Sequence, residues 1–113
     1  MCFQEYVALK IHKSAPEFGQ AALYEIQILI TIAKKDPTNS KCIVRLLDHF
    51  KHIGPNGKHL CMVLEFLGDS LLRLIRYNHH NRIDLNRVRE ICRYVLTGLD
   101  YLCLLYTSDA ADE

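Results

Sequence analysis

Between Tyr6 and Ile11 the chain alternates, with Val7, Leu9 and Ile11 falling on one side of an extended segment and Tyr6, Ala8 and Lys10 on the other. This pattern predicts a strand, favoured by its β-branched and aromatic residues. The period then lengthens. Phe18, Ala22, Leu23, Ile26, Leu29, Ile30 and Ala33 recur at three- and four-residue steps, which predicts an amphipathic helix running to about Lys34. Ser14 is a candidate cap for this helix, Pro16 fits its first turn, and Glu17 suits the positive end of its dipole. Gly19 slightly weakens the first turn. Lys34 and Lys35 favour the helix C-terminus, and Asp36-Pro37-Thr38-Asn39-Ser40 stops it.

Residues 42–52 are mostly extended, and 53–58 concentrate turn formers, with Asn56-Gly57 a hairpin signal. Residues 59–65 follow as a second strand, apolar enough to be buried on both faces, so the two should form an antiparallel hairpin. The strand at 6–11 has almost no chain before it and must find its partner edge elsewhere. The pattern breaks at 66–70. A short helix over 71–76 follows, capped by Ser70 or Asp69, then a loop over 77–82. Asp84 caps a longer helix in which Leu85, Val88, Ile91, Cys92, Val95, Leu96, Leu99 and Leu102 make a broad apolar face with little left to pack against.

Composition narrows the class. At 113 residues the chain is at most one domain and could be a piece of a larger one. Half of its residues are hydrophobic and 24% are charged, which is globular. A net charge of +1 offers no electrostatic argument for nucleic acid or an anionic membrane. Cys2, Cys42, Cys61, Cys92 and Cys103 are odd in number and form no CxxC pair, pointing to a reducing compartment. No apolar run is long enough to span a bilayer, and no basic segment with an apolar core opens the chain. A cytosolic or nuclear protein is expected. His49, His52 and His59 flank the turn and His79-His80 lies in a polar loop. Neither group has the ligand number and spacing of a zinc site, and no metal is expected.

The candidate chemistry rests on Lys10 and Glu25. A lysine rooted in a strand beside a cleft needs a counter-charge, because an unpaired, partly buried ammonium is costly, and Glu25 on the flank of the helix stripe is the nearest supplier. Such a pair could hold an ammonium beside a phosphate. It could also be two ordinary surface charges on a small α+β protein, as strand lysines often are.

The order of elements, a strand with Val7-Ala8-Leu9-Lys10, a helix with Glu25, an antiparallel hairpin, a small helix and a long apolar helix, resembles the first half of a eukaryotic protein kinase. Lys13-Ser14-Ala15, Ala21-Ala22-Leu23 with Glu25-Ile26, Leu46-Leu47-Asp48-His49-Phe50-Lys51-His52, Gly54-Pro55-Asn56-Gly57, Cys61-Met62-Val63 and Gly98-Leu99-Asp100-Tyr101-Leu102 together look like the SR-protein kinases. These are serine/threonine kinases that phosphorylate Arg-Ser-rich splicing factors in the cytoplasm and nucleus. The resemblance covers about residues 6–102. It implies an α+β fold: a truncated kinase domain with the small lobe at 1–65 (antiparallel strands plus one long helix), the hinge at 65–69, and the first two helices of the large lobe within 70–102.

Carried over, the resemblance makes Lys10 the lysine that holds the α- and β-phosphates of ATP and Glu25 its helix partner. Val7 and Ala8 would help to roof the adenine. Leu64 would guard the back of the adenine pocket, where this family usually has an aromatic residue, and Glu65, Phe66 and Leu67 would form the hinge. The carbonyl of Glu65 and the backbone of Leu67 would hold the base. ATP and magnesium are the implied cofactors, and Arg-Ser-rich proteins the implied partners.

No Gly-rich loop precedes Lys10, and neither a His-x-Asp catalytic loop nor an Asp-Phe-Gly occurs, so the chain carries no catalytic base and no magnesium ligand of the family's kind. It is expected to be inactive alone. The alternative is a non-catalytic, kinase-like short form acting as a binding module. Residues 103–113 look like a translated sequencing adaptor; without Asp109, Asp112 and Glu113 the remainder has ten acidic and fourteen basic residues, net +4.

Overall fold

The computed structural model describes residues 5–78, 80 and 82–111, with 108–111 as backbone alone. Cys2 and His79 therefore lie outside the described residues. The chain divides into two units, one formed by residues up to 39 with 44–67, the other by 40–43 with the residues from 68 onward.

The first unit holds strand β1 (Val7–Ile11), helix α1 (Pro16–Lys35), strand β2 (Leu46–Gly54) and strand β3 (Gly57–Glu65). The sheet order is β1-β3-β2 and both pairings are antiparallel, so the strand without a neighbour in sequence pairs with the far side of the hairpin. This central position explains the continuous apolar run of β3: Leu60, Cys61 and Met62 are successive buried residues and face alternate sides of the sheet. Helix α1 covers one side. Its Ala22 and Ile26 pack with Leu60 and Met62, and Leu29, Ile30, Leu46 and Leu64 close the edges of this core. Phe18 and Leu23, both read as part of the helix stripe, are 42% exposed.

Two local expectations change. Ser14 does not cap α1. Pro16 takes the first helical position, which makes Ala15 the N-cap, and the Ser14 hydroxyl instead donates to the Asn56 carbonyl at 3.2 Å. The hairpin turn is also one residue earlier than Asn-Gly suggests. Gly54 pairs with Gly57, leaving Pro55 and Asn56 as the loop, because proline presets the first turn position and Gly57 supplies the φ of +115°.

The second unit contains helix α2 (Leu71–Tyr77) and helix α3 (Leu85–Ala111). Ser70 caps α2 by accepting from the Arg73 N–H, and Asp69 pairs with Arg73 at 3.0 Å. Asp84 caps α3 through the Asn86 N–H. The helix continues nine residues beyond Leu102, through the segment expected to be foreign. Gly98 is buried because its Cα passes close to the backbone of residues 41 and 42: a Cβ there would lie 3.4 Å from the Lys41 carbonyl oxygen. Leu85, Val95, Leu96 and Leu99 are all more than half exposed, as the breadth of the apolar face anticipates. Cys42, Cys61, Cys92 and Cys103 are free thiols.

Candidate functional site

Alternation along β1 sorts the predicted residues by face. In an antiparallel pair, directly opposed residues share a side of the sheet. Ala8 stands opposite Leu64 and Lys10 opposite Met62, so Ala8, Lys10 and Leu64 lie on the side covered by α1. Val7, opposite Glu65, lies on the other side and is 46% exposed. Val7 and Lys10 therefore lie on opposite faces of β1, as the alternation along the strand predicts.

Lys10 and Glu25 meet. The Lys10 Nζ donates to Glu25 Oε1 at 2.9 Å and to Oε2 at 3.2 Å, spanning a strand and a helix fifteen residues apart. The side chains retain 49% and 40% of their exposure, and at that level an ion pair contributes at most about 1 kcal/mol to the fold. Its consequence is geometric. The carboxylate fixes where the ammonium sits, while the third N–H of the lysine stays available to another acceptor.

A second layer supports this pair. His12, two residues beyond Lys10 and on the same face, places Nε2 3.1 Å from Met62 Sδ and 3.9 Å from Glu25 Oε2. The methionine sulfur can only accept, so the contact is a hydrogen bond when Nε2 carries the hydrogen. The His12 carbonyl accepts from His59 Nδ1 at 2.9 Å, and the His12 N–H donates to the Leu60 carbonyl, extending the β1–β3 ladder. In the sequence His59 stands out only as a metal candidate and His12 belongs to no motif, although alternation from Lys10 puts His12 on the same face.

The end of β3 is anchored by Arg45. The Glu65 N–H donates to the Arg45 carbonyl at 3.0 Å and the Arg45 N–H to Glu65 Oε1 at 3.1 Å, while Arg45 Nη1 reaches the Asp36 carbonyl beyond α1. Glu65 is thus held by backbone and side chain together. Phe66 continues from it with its ring 5.9 Å from that of Tyr6, and Leu67 is 59% exposed. Among the described residues no three His, Cys, Asp or Glu side chains gather as a metal site, and no helix is long and apolar enough to cross a membrane.

What the arrangement offers is a positioned ammonium, a small residue at Ala8 and an apolar one at Leu64 on the same sheet face, and a strand end fixed at Glu65. No protein-family model matches the chain. It is 46% identical over 110 residues to the serine/threonine-protein kinase SRPK of Physarum polycephalum, covering 95% of this chain and 26% of that protein. It is 44% identical over 101 residues to the serine/threonine-protein kinase spk-1 of Caenorhabditis elegans, covering 88% of this chain and 10% of that protein. To SRSF protein kinase 3 of Mus musculus it is 40% identical over 115 residues, covering 97% of this chain and 20% of the relative. The chain therefore spans about a quarter or less of the length of these curated relatives, and it belongs to the SRPK family of serine/threonine-protein kinases.

Proposed function

We propose that this chain supplies the nucleotide-holding part of an ATP-dependent serine/threonine kinase. Lys10 binds the α- and β-phosphates and Glu25 holds Lys10 in place for them. The reading is carried by one observation, the bidentate Lys10–Glu25 pair between β1 and α1. An anchored ammonium is what phosphate positioning needs, since phosphoryl transfer depends mainly on orientation and charge stabilisation. Ala8 leaves room for the adenine ring and Leu64 limits the depth of its pocket. The backbone of Glu65 and Leu67 provides the hydrogen bonds to the base.

Bound ATP supplies the transferable phosphoryl group, with magnesium neutralising its charge. The sequence has no His-x-Asp loop and no Asp-Phe-Gly, so the group that takes the proton from the substrate hydroxyl is not among these residues. The chain by itself binds and orients nucleotide without transferring phosphate. The substrates we infer for the kinase are Arg-Ser-rich splicing factors, met in the cytoplasm and nucleus; support comes from relatives named SRSF protein kinase 3 in mouse, pig and human. Residues 103–113 we read as an adaptor-derived extension, which resequencing the transcript from a different library checks.

Titration with a fluorescent ATP analogue tests the proposal. Lys10→Met should weaken binding at least about tenfold, the loss of one charge-assisted contact. Equal binding by both proteins, or no binding by either, overturns it.

A further inference from the structure

A cleft of about 190 Å³ in the first unit opens where the β1–α1 loop meets the β2–β3 hairpin. Its floor is apolar, made by Pro16, Leu23 and Leu60, and its rim carries Lys13, Lys51 and Lys58. Among the described residues no carboxylate lines it; Glu17, in the same first turn of α1, is exposed and outside the lining. The lysines converge for a topological reason. Lys51 is opposed to Leu60 across the hairpin, and Lys58 lies two residues before Leu60, so alternation puts both on the side of the sheet that α1 covers. Among the described residues neither Lys51 nor Lys58 is paired with an acid, and Lys13 sits 5.6 Å from the Phe18 ring centre.

The walls are fixed. The Ser14 hydroxyl ties the loop to the hairpin at Asn56, Gly57 passes so close to Ser14 that a Cβ would lie 3.1 Å from the Ser14 Cβ, and His59 is bonded to the His12 carbonyl. At Gly19 the opposite holds: a Cβ there meets nothing within 4 Å, which leaves the cleft open on the helix side. A cavity of about 150 Å³ is enough to take benzene, so the space admits one aromatic or large aliphatic side chain.

We propose that this cleft docks an acidic peptide, a segment carrying one large apolar residue flanked by Asp or Glu. The apolar side chain enters between Pro16, Leu23 and Leu60, and the flanking carboxylates meet Lys13, Lys51 and Lys58. Charge complementarity selects this occupant. Three ammonium groups around an apolar floor disfavour a basic or purely apolar segment, and the floor adds a preference that a free anion cannot satisfy. The site is separate from the Lys10–Glu25 pair and does not depend on nucleotide.

The test is fluorescence anisotropy with the 113-residue chain and a labelled peptide in which phenylalanine is flanked by aspartates, with circular dichroism confirming that each variant keeps the parent's helix content. The expected result is saturable binding weakened about tenfold or more by the combined Lys51→Glu and Lys58→Glu substitutions, reduced by added salt, and unaffected by Lys10→Met. Gly19→Leu, which fills the cleft and favours the helix, should abolish binding with both lysines intact. Phenylalanine-to-alanine replacement in the peptide should also abolish it. Absence of binding by the parent chain, equal binding by the charge-reversed or Gly19→Leu proteins, or full competition by inorganic phosphate at matched ionic strength overturns the proposal, the last by reducing the cleft to an anion site.

Discussion

The Nε2 of His12 lies 3.1 Å from the sulfur of Met62 and 3.9 Å from a carboxylate oxygen of Glu25. A ring from the residue just after β1 therefore links the buried centre of β3 to the acid that positions Lys10. Met62 has no exposed surface and the His12 side chain retains 14%, so the half-exposed ion pair stands on a buried support. Replacing His12 with alanine should leave Glu25 less well held, and nucleotide affinity should fall by a smaller factor than in Lys10→Met. A titration on the two variants checks this ordering; an undiminished affinity in His12→Ala contradicts it.

Met62→Ala should be costly. The side chain sits between Ala22, Ile26 and Leu60, and a large-to-alanine change in a core costs about 2–5 kcal/mol. Urea denaturation followed by circular dichroism should show a lower midpoint with little change in slope. A loss below about 1 kcal/mol would mean that the site is loosely packed, contrary to its burial.

Gly57→Ala should destabilise by about 1–3 kcal/mol for two separable reasons: a φ of +115°, which side chains rarely adopt, and the approach of the new Cβ to Ser14. Combining it with Ser14→Gly removes only the approach, along with the hydrogen bond to Asn56. A double mutant cycle measured by thermal unfolding should therefore show partial compensation. Strict additivity would place the whole cost in the backbone.

Ser70→Ala should cost about 1 kcal/mol in local stability, because the hydroxyl satisfies the Arg73 N–H at the start of a helix of seven residues. Hydrogen exchange at the Arg73 amide reads it out directly: faster exchange is expected, and unchanged protection would show that the cap is dispensable.

The parts of this architecture visible in the sequence are those set by local period and local chemistry. The stripe around Ala22 and Ile26, the apolar run through Met62, and the caps at Ser70 and Asp84 each follow from a few neighbouring residues. The Lys10–Glu25 pair was legible because strand alternation and the helix flank restrict where the two charges can lie. What could not be read depends on long-range pairing. Alternation separates Val7 from Ala8 and Lys10, but nothing near Val7 specifies β3 as its partner, and only that pairing puts Ala8 on the same side as Leu64. Arg45 escaped notice for a related reason. It acts largely through its own N–H and carbonyl, and backbone groups leave no signature in residue type. Ser14 was misread as a cap because a serine before a helix start suits that role equally well, until the hairpin supplies the Asn56 carbonyl.

The most direct measurement is mass-spectrometric mapping of lysine acylation by an acyl phosphate of ATP, with and without excess ATP. A nucleotide phosphate held by Lys10 brings the reactive carbonyl to that amine, so Lys10 should be the principal modified lysine, ATP should protect it, and Glu25→Gln should lower its labelling. Modification spread over Lys13, Lys51 and Lys58 as readily as over Lys10, indifferent to ATP, would contradict the assignment of Lys10 and Glu25 to a nucleotide site.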